Sequence, residues 1–265
     1  MPRLDKEMVA RGLAPSRTRA GQLIAEGAVR LNGRRAAKPS AAADAGATIE
    51  LAETDRWVSR AAHKLLGALE AFPEAAPARR RCLDAGASTG GFTQVMLSRG
   101  AEHVVAVDVG HDQLAPALRE DPRITNVEGT NLRYVRPGQL GDRFGLIVAD
   151  LSFISLRLVL PALAQQAASG ADLLLMVKPQ FEVGRERIGR TGVVTSPQQR
   201  RDAVEGVVTA ALEEGLQLAG AAPSPLPGQD GNREFFLHLR SPSAADAQEL
   251  VSPADRLGAI DYADP

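Results

Sequence analysis

The chain has 265 residues, enough for one large domain or for a small domain and a larger one. Its 31 Lys and Arg almost balance its 32 Asp and Glu, so net charge alone indicates no partner. The single cysteine excludes a disulfide framework, and the four scattered histidines show no metal-ligand spacing. From these two patterns we expect no bound metal. Because neither a signal peptide nor a long apolar span is evident, we expect a cytoplasmic protein that does not enter membranes.

The first forty residues are basic, with nine Lys and Arg against three acids, which predicts a separate docking module. Apolar spacing indicates two helices, and an Asn-Gly pair between short β-rich runs indicates a hairpin. The predicted elements are helices over residues 3–11 and 17–26, the second capped by Ser16, and strands over residues 28–31 and 48–51 with a turn at Asn32 and Gly33.

This two-helix, basic-hairpin unit, with LAPSRTRAGQLIAEGAVRLNG at its centre, resembles the S4 RNA-binding domain, and the resemblance implies that its arginines contact RNA. Guanidinium groups bind phosphates without reading base sequence, so binding should weaken steeply with salt. The alternative is a solvated charged face with no partner. The candidate RNA-binding residues are Arg3, Arg17, Arg19, Arg30 and Arg34, together with Arg60, Arg185, Arg187 and Arg190 further along the chain.

A helix is predicted over residues 61–72, after a linker at 55–60, with Ser59 as its cap. Lys64 lies off the apolar stripe of this helix, beside the small residues Ala61 and Ala68. Small neighbours allow close approach of another segment, so Lys64 could reach across to it. By itself Lys64 could equally be a surface lysine.

The stretch RCLDAGASTGGFT, residues 81–93, reads as a buried strand, a glycine turn and a helix start. Its spacing differs from the dinucleotide fingerprint, and an acid precedes the first glycine by two residues. A carboxylate there suits a cationic or hydroxyl-bearing ligand better than a pyrophosphate, and S-adenosylmethionine fits. The alternative is a structural turn in another α/β protein. The candidate cofactor-binding residues are Asp84, Gly86, Ser88, Thr89, Gly90, Gly91 and Phe92, with Asp108, Asn131 and Asp150 after later strands.

Continuous apolar strands alternate with helices after residue 80, which predicts an α/β, Rossmann-like, mostly parallel sheet covered on both faces. Asp108 ends the second strand, where an acid commonly binds ribose hydroxyls. Asp150 and Lys178 end the fourth and fifth strands. An antiparallel last strand would bring Glu234, at its start, to the same edge. The predicted strands are Cys82–Leu83, His103–Val107, Ile124–Glu128, Phe144–Ala149, Leu173–Val177 and Arg233–Leu239.

Other segments carry weaker signals. LSFISL after Asp150 is predicted to start a helix, and a further helix runs from Pro197 to about Leu216. Prolines between residues 223 and 227 predict a long turn. Residues 182–194 form a basic, glycine-bearing segment that is interpreted as a mobile lid or as a plain surface loop. For residues 241–265 we expect at most a short helix near 244–251, then fraying.

Several motifs resemble those of a known family. LAPSRTRAGQLIAEGAVRLNG, residues 13–33, resembles the S4 RNA-binding domain. The rest of the chain to about residue 239 is similar to FtsJ-type methyltransferases and, more closely, to the TlyA family of rRNA cytidine 2′-O-methyltransferases, some of whose members are labelled haemolysins. The motifs are SRAAHKL, LDAGASTGGFT, VVAVDVG, GTNLR, VADLSFISL, VKPQFEVGRERIGRTGVV and PLPG followed by GNREFFL.

The resemblance implies an S4 domain over residues 1–54, a methyltransferase domain over 61–240 and a tail over 241–265. It implies a catalytic Lys–Asp–Lys–Glu tetrad formed by Lys64, Asp150, Lys178 and Glu234. Lys178 would lie between the carboxylates of Asp150 and Glu234, as base or as oxyanion stabiliser, with Lys64 on the ribose or a phosphate. S-adenosylmethionine is the implied cofactor, ribosomal RNA the implied partner and a monomer the expected state.

Two other hypotheses come from different classes. The chain could be a non-catalytic RNA- or ribosome-binding factor, in which case the donor would not bind. It could also be a pore-forming haemolysin, which the lack of an apolar span or a marked amphipathic stripe in the sequence disfavours.

Overall fold

The computed structural model describes residues 2–25, 27–44, 46–51, 57–184, 186, 188–189, 191–243 and 252–263. The chain divides into two compact units, Met1–Arg56 and Trp57–Pro265. The three lid arginines, Arg185, Arg187 and Arg190, lie outside the described residues, as does the helix predicted near 244–251.

The first unit packs two helices on a three-stranded antiparallel sheet of order β2-β1-β3. Leu4, Met8 and Leu23 are buried between these elements. Ser16 Oγ accepts a hydrogen bond from the backbone N–H of Arg19 at 3.2 Å, which confirms the predicted cap. The elements are α1 (Leu4–Ala10), α2 (Arg17–Ala25), β1 (Val29–Leu31), β2 (Arg34–Arg35) and β3 (Ile49–Leu51).

The second unit is built on a seven-stranded sheet of order β6-β5-β4-β7-β8-β10-β9. Strands β4 to β8 run parallel, and β10 pairs antiparallel with β8 and β9, which confirms the predicted sheet and its antiparallel last strand. Its strands are β4 (Arg81–Ala85), β5 (His103–Val107), β6 (Ile124–Val127), β7 (Phe144–Ala149), β8 (Ala167–Val177), β9 (Gln217–Pro223) and β10 (Phe235–Arg240).

Helices cover both faces of this sheet, and alternate residues of its strands therefore belong to two separate apolar clusters, one on each face. In β7, for example, Ile147 and Ala149 belong to one cluster while Leu146 and Val148 belong to the other. The helices are α3 (Ala61–Ala71), α4 (Gly91–Ser98), α5 (Pro116–Arg119), α6 (Leu160–Gln166), α7 (Pro179–Glu182), α8 (Pro197–Glu213) and α9 (Pro253–Gly258).

Some local predictions were wrong or incomplete. Strand β9 was not predicted; it ends at Pro223, the first proline of the predicted turn, which is tolerated because it ends an edge strand. LSFISL does not start a helix, since α6 begins only at Leu160. Ser59 does not cap α3, whose N-cap is Arg60 without a side-chain hydrogen bond.

The tail is more ordered than expected. Beyond residue 251 we expected fraying, yet α9 forms there, and Leu257 and Tyr262 are buried in the core. The rings of Phe235 and Tyr262 lie 5.2 Å apart. A composition-based interpretation fails here because a few apolar side chains suffice to dock a short segment on an existing surface.

Candidate active site

A cavity of about 590 Å³ opens at the carboxyl edge of the parallel strands. Its lining includes Lys64, Asp150, Lys178 and Glu234, so the structure brings together all four residues of the predicted tetrad. Strands β7 and β8 are parallel neighbours, which places their following residues Asp150 and Lys178 side by side. Because β10 runs antiparallel to β8 and Phe235 pairs with Val177, the residue before β10 reaches the same edge.

Lys178 interacts with two residues of the segment that follows β7. Its Nζ lies 2.7 Å from Asp150 Oδ1 and donates a hydrogen bond to Ser152 Oγ at 2.8 Å. The lysine and the aspartate are largely buried but still border the cavity. Together the two acceptors fix the direction of the lysine side chain.

The other two residues of the tetrad pair with each other. Lys64 Nζ donates to Glu234 Oε2 at 2.6 Å and also lies 3.8 Å from Met176 Sδ. Both side chains are almost fully buried. The sequence-based hypothesis placed Glu234 beside Lys178; the structure instead shows two lysine–carboxylate pairs. Lys64 reaches across because α3 presents it toward the sheet edge rather than toward solvent.

A second cavity, of about 570 Å³, adjoins the first. Asp108 and Asn131 line it, as predicted residues of a ligand site. Asp108 Oδ2 accepts the backbone N–H of Ser88 and Oδ1 that of Gly110, both at 2.8 Å, so the carboxylate is held in a fixed orientation. The residues shared by the two cavities are Gly86, Ser88, Asp150, Ser152 and Phe153.

Most of the predicted ligand residues of the glycine turn line a cavity, but Gly90 does not. Gly86, with φ of 89°, approaches the backbone of Asp150 so closely that a Cβ would lie 2.9 Å from its carbonyl oxygen. Gly90 does not border either cavity; a Cβ there would meet Leu114 and Leu118. The predicted ligand residues of the turn that line the first cavity are Gly86, Ser88, Thr89, Gly91 and Phe92, and Ala87 lines it as well.

Asp84 lies beneath the turn rather than in the lining of either cavity. It is fully buried, and its Oδ2 accepts a hydrogen bond from Thr93 Oγ1 at 2.6 Å. Burial raises the pKa of the Asp84 carboxyl to about 7. The sequence-based hypothesis of a direct ligand contact is therefore replaced by an internal link between β4 and α4.

Sequence reasoning missed Ser152 and Phe153, although both lie in the conspicuous LSFISL motif. Phe153 is 92% exposed, has a φ of +63°, and lies 5.4 Å from the ring of Phe181. A non-glycine residue in this region is strained, and such strain often marks a functional position. The motif was interpreted as a helix start because its apolar spacing is ambiguous over so few residues.

Glu182 holds this strained segment in place. Its Oε2 accepts a hydrogen bond from Ser155 Oγ at 2.6 Å, and its Oε1 accepts one from the N–H of Leu156 at 2.7 Å. Arg157 Nε lies 3.2 Å from Glu182 Oε2. The segment from Ser152 to Leu156 is thus fixed at one end by Lys178 and at the other by Glu182.

The predicted RNA-binding arginines fall in different places. Arg60 lines the first cavity and donates a hydrogen bond to the carbonyl oxygen of Pro227. Arg3 and Arg17 both bind the carboxylate of Asp5. Of the other candidate arginines of the first unit, Arg30 and Arg34 are exposed, and Arg19 is half-buried.

No group of three or more His, Cys, Asp or Glu side chains among the described residues could hold a metal ion. No helix formed by those residues is long and apolar enough to span a membrane.

Comparisons with known proteins define the class of this protein. The family of FtsJ-like methyltransferases matches residues 57–241, and the S4 domain matches residues 2–49. A solved S-adenosylmethionine-dependent methyltransferase from Mesorhizobium loti shares the fold, with a TM-score of 0.50 at 17% identity, 67% of this chain and 97% of that chain being covered. The second unit is therefore a methyltransferase of the FtsJ-like type, preceded by an S4 domain.

Relatives over most of the chain identify the particular family. The chain is 55% identical over 241 residues, 90% of each protein, to the 16S/23S rRNA (cytidine-2′-O)-methyltransferase TlyA of Mycobacterium tuberculosis. A solved structure from Streptococcus thermophilus, described only as a candidate hemolysin, has a TM-score of 0.73 at 38% identity and covers 97% of this chain and 94% of that one. The chain belongs to the TlyA family, as its motifs predicted.

Proposed function

We propose that this protein transfers a methyl group from S-adenosylmethionine to the 2′-hydroxyl of a cytidine in 16S or 23S ribosomal RNA. The observation that carries the proposal is the convergence of two lysine–carboxylate pairs in one cavity that adjoins a second cavity, lined by Asp108 and Asn131. The TlyA relative named above acts, by its name, on cytidine 2′-oxygens of both rRNAs. Acting on ribosomal RNA, the protein would work in the cytoplasm.

The second cavity has the chemistry that S-adenosylmethionine requires. Asp108 is held by two backbone N–H groups and keeps lone pairs for ribose hydroxyls, and Asn131 stands beside it. An apolar wall suits an adenine ring; it consists of Val107, Leu132, Ile154 and Val159. When bound, the cofactor supplies a methyl group on a sulfonium. Gly86 and Ser88 border both cavities and so lie where the methyl-bearing end would enter the first one.

We assign Lys178 to the ribose oxygen, where it acts as the base or stabilises the developing negative charge. A 2′-hydroxyl is a poor nucleophile and loses its proton as it attacks, so the oxygen needs a base or a cation beside it. Lys178 Nζ has Asp150 and Ser152 as two partners, and its third position remains for the ribose oxygen. A side chain fixed in this way would also help to position the ribose oxygen for attack, and positioning is a large part of such a barrier.

Lys64 and Glu234 form the second lysine–carboxylate pair in the lining of the first cavity. Because the pair is buried and neutral as a unit, we assign Glu234 to holding the Lys64 ammonium rather than to direct chemistry. Lys64 borders the cavity, where its remaining N–H groups can contact the ribose or the adjoining phosphate. This differs from the sequence-based hypothesis, in which Glu234 oriented Lys178.

Phe153 offers a surface for the target base. A target nucleotide that leaves the RNA stack to place its ribose in the cavity loses its stacking, which an exposed aromatic ring can replace. Phe153 is the most exposed of the large apolar side chains among the described residues and borders both cavities. The clamp formed by Lys178 and Glu182 keeps it there in spite of its strained backbone.

Mass-spectrometric mapping tests the proposed function. Ribosomal subunits from a strain that lacks this activity are incubated with the protein and S-adenosylmethionine, and both large rRNAs are mapped for methyl groups. We expect a new 2′-O-methylcytidine with the wild-type protein and none with the Lys178→Met variant. A methyl group on a base, or no new methyl group, would refute the proposal. Absence of donor binding in calorimetry would instead favour the non-catalytic RNA-binding factor, and dye release from liposomes would favour a haemolysin.

A further inference from the structure

A single carboxylate in the first unit binds two arginines that sequence reasoning treated as independent. Asp5 Oδ1 accepts a hydrogen bond from Arg3 Nε at 3.0 Å, and Oδ2 accepts one from Arg3 Nη2 at 3.1 Å. The same Oδ2 accepts from Arg17 Nε at 3.2 Å and from Arg17 Nη2 at 3.0 Å. Arg3 is thus a bidentate partner of both carboxylate oxygens, whereas Arg17 directs two donors at Oδ2 alone.

The burial of the three side chains is unequal. Asp5 is only 4% exposed, whereas the side chains of Arg3 and Arg17 are 46% and 54% exposed. The carboxylate therefore lies beneath the two guanidinium groups, which face outward. Each arginine uses Nε and Nη2 on Asp5, so the N–H groups of Nη1 remain on the outer side.

The backbone of this cluster is fixed from three directions. Arg3 is extended, with φ of −79° and ψ of 145°, and forms a β-bridge with Ala42. Asp5 lies in the first turn of α1, and Arg17 begins α2. Two helices and an extended segment therefore meet at one carboxylate. The fixed backbone and the shared carboxylate together set the distance between the two guanidinium groups.

Charge explains why the two arginines can stay so close. Two cations that share one acceptor oxygen repel each other, and the carboxylate between them offsets this repulsion. The hydrogen bonds from Arg3, followed by those from Arg17, hold the pKa of Asp5 well below its ordinary value. The aspartate is therefore ionised throughout the pH range in which RNA binding is measured.

We propose that Asp5 is a positioning residue that holds Arg3 and Arg17 as one preformed binding site for a phosphate of the RNA backbone. The proposal rests on the proposed function, since it names how the S4 domain grips its RNA. Planar guanidinium groups with a fixed spacing match phosphate oxygens, and fixing them beforehand removes the entropy cost of ordering two long side chains.

The proposal predicts a change in RNA affinity opposite in sign to the change that net charge alone would give. Asp5→Asn removes a negative charge, so charge alone would tighten RNA binding. If Asp5 positions the arginines, the variant binds ribosomal subunits about ten-fold more weakly, because both forks lose their carboxylate. The slope of log K against log salt concentration falls by about 1.

Glu7→Gln is the matched control. It removes the same charge from the same helix, where Glu7 Oε1 accepts from Arg11 Nε at 2.8 Å. Arg11 keeps hydrogen bonds to the carbonyl oxygens of Ala47 and Asp44, so its position does not depend on Glu7. We expect this variant to bind as well as the wild type or slightly better.

The full-length proteins are compared by filter binding to purified ribosomal subunits over a salt series, with circular dichroism to check folding. Arg17→Lys is a second variant, which keeps the charge but loses the fork, and it decides the matter if Asp5→Asn does not fold. It should also bind several-fold more weakly. Wild-type affinity in Arg17→Lys, or unchanged or tighter binding in folded Asp5→Asn, would overturn the inference. If the wild type itself neither binds nor methylates the subunits, the proposed function fails instead.

Discussion

The ammonium nitrogen of Lys64 lies 2.6 Å from Glu234 Oε2, although 170 positions separate the two residues in the chain. Both side chains are nearly inaccessible to solvent. The pair joins α3 to the residue that precedes β10, and both of its members line the first cavity. Its energetics lead to the first prediction.

Removing one member of this pair should destabilise the fold more than removing both. Lys64→Met leaves a buried carboxylate without its cation, which costs about 3–5 kcal/mol in the free energy of unfolding. The double variant Lys64→Met with Glu234→Gln should regain most of that stability, while both variants lose methyl transfer. Urea unfolding of Lys64→Met, of Glu234→Gln and of the double variant measures these differences in stability. Equal stability in Lys64→Met and the wild type would contradict the buried pair.

Lys178→Met should abolish methyl transfer without preventing cofactor binding. The lysine borders the first cavity, whereas the residues that suit the cofactor line mainly the second. Ser152→Ala removes one of the two partners of Lys178 and should lower kcat about ten-fold. Turnover and calorimetry with S-adenosylmethionine are measured in parallel. Near-normal turnover in Lys178→Met would eliminate its proposed role.

Phe153→Gly should make the protein more stable and less active at once. Glycine relieves the strained φ of +63°, which stabilises the fold by about 1 kcal/mol. Loss of the ring removes a stacking surface worth about 1–3 kcal/mol, so methylation of ribosomal subunits should slow at least about ten-fold. Leu158→Ala, at another exposed apolar side chain, serves as the control and should leave activity unchanged. Wild-type activity in Phe153→Gly would refute the stacking role.

Asp84→Asn should change the pH dependence of stability. The Asp84 carboxyl ionises near pH 3.9 in the unfolded chain, but burial raises its pKa to about 7 in the folded protein. Between these values the folded state binds more protons, so wild-type stability falls as pH rises through this window and changes no further above it. The asparagine variant lacks this loss, so its stability relative to the wild type should increase by up to about 4 kcal/mol from pH 4 to pH 8.

Thermal or urea unfolding at several pH values measures that difference. All other titrating groups are common to the two proteins, and their contributions cancel in the comparison. A stability difference that does not vary between pH 4 and pH 8 would show that the Asp84 carboxyl is not desolvated in the folded protein.

Tyr262→Ala should destabilise the methyltransferase unit, because the tail is part of its core. The ring packs 5.2 Å from that of Phe235, directly after Glu234. We expect a loss of about 2 kcal/mol from the cavity left behind. Tyr262→Phe is the matched control and should be neutral, since the hydroxyl has no hydrogen-bond partner among the described residues. A stable Tyr262→Ala variant would restore the expectation of a frayed tail.

Local pattern alone predicted the framework of this protein. Apolar runs identified β5, β6 and β7, the middle of β4 and the last five residues of β8, because strands of a sheet covered on both faces are largely apolar. Residues 167–172 of β8 include polar residues and a glycine, and this part of the strand was missed. The ends of parallel strands share one edge, so the proximity of Asp150 and Lys178 followed from strand ends alone. The N-terminal helix cap and the hairpin could also be predicted, because their sequence signals span only a few neighbouring residues.

Only the tertiary structure decided which lysine Glu234 holds, that Asp84 lies beneath the turn, and that the tail docks on the core. Each of these depends on what packs against a residue from a distant part of the chain. Phe153 shows the same limit: its backbone is strained because Lys178 and Glu182 hold the flanking residues, and no neighbour in sequence reveals those contacts. Sequence supplies the residue types at an edge, whereas packing assigns their partners.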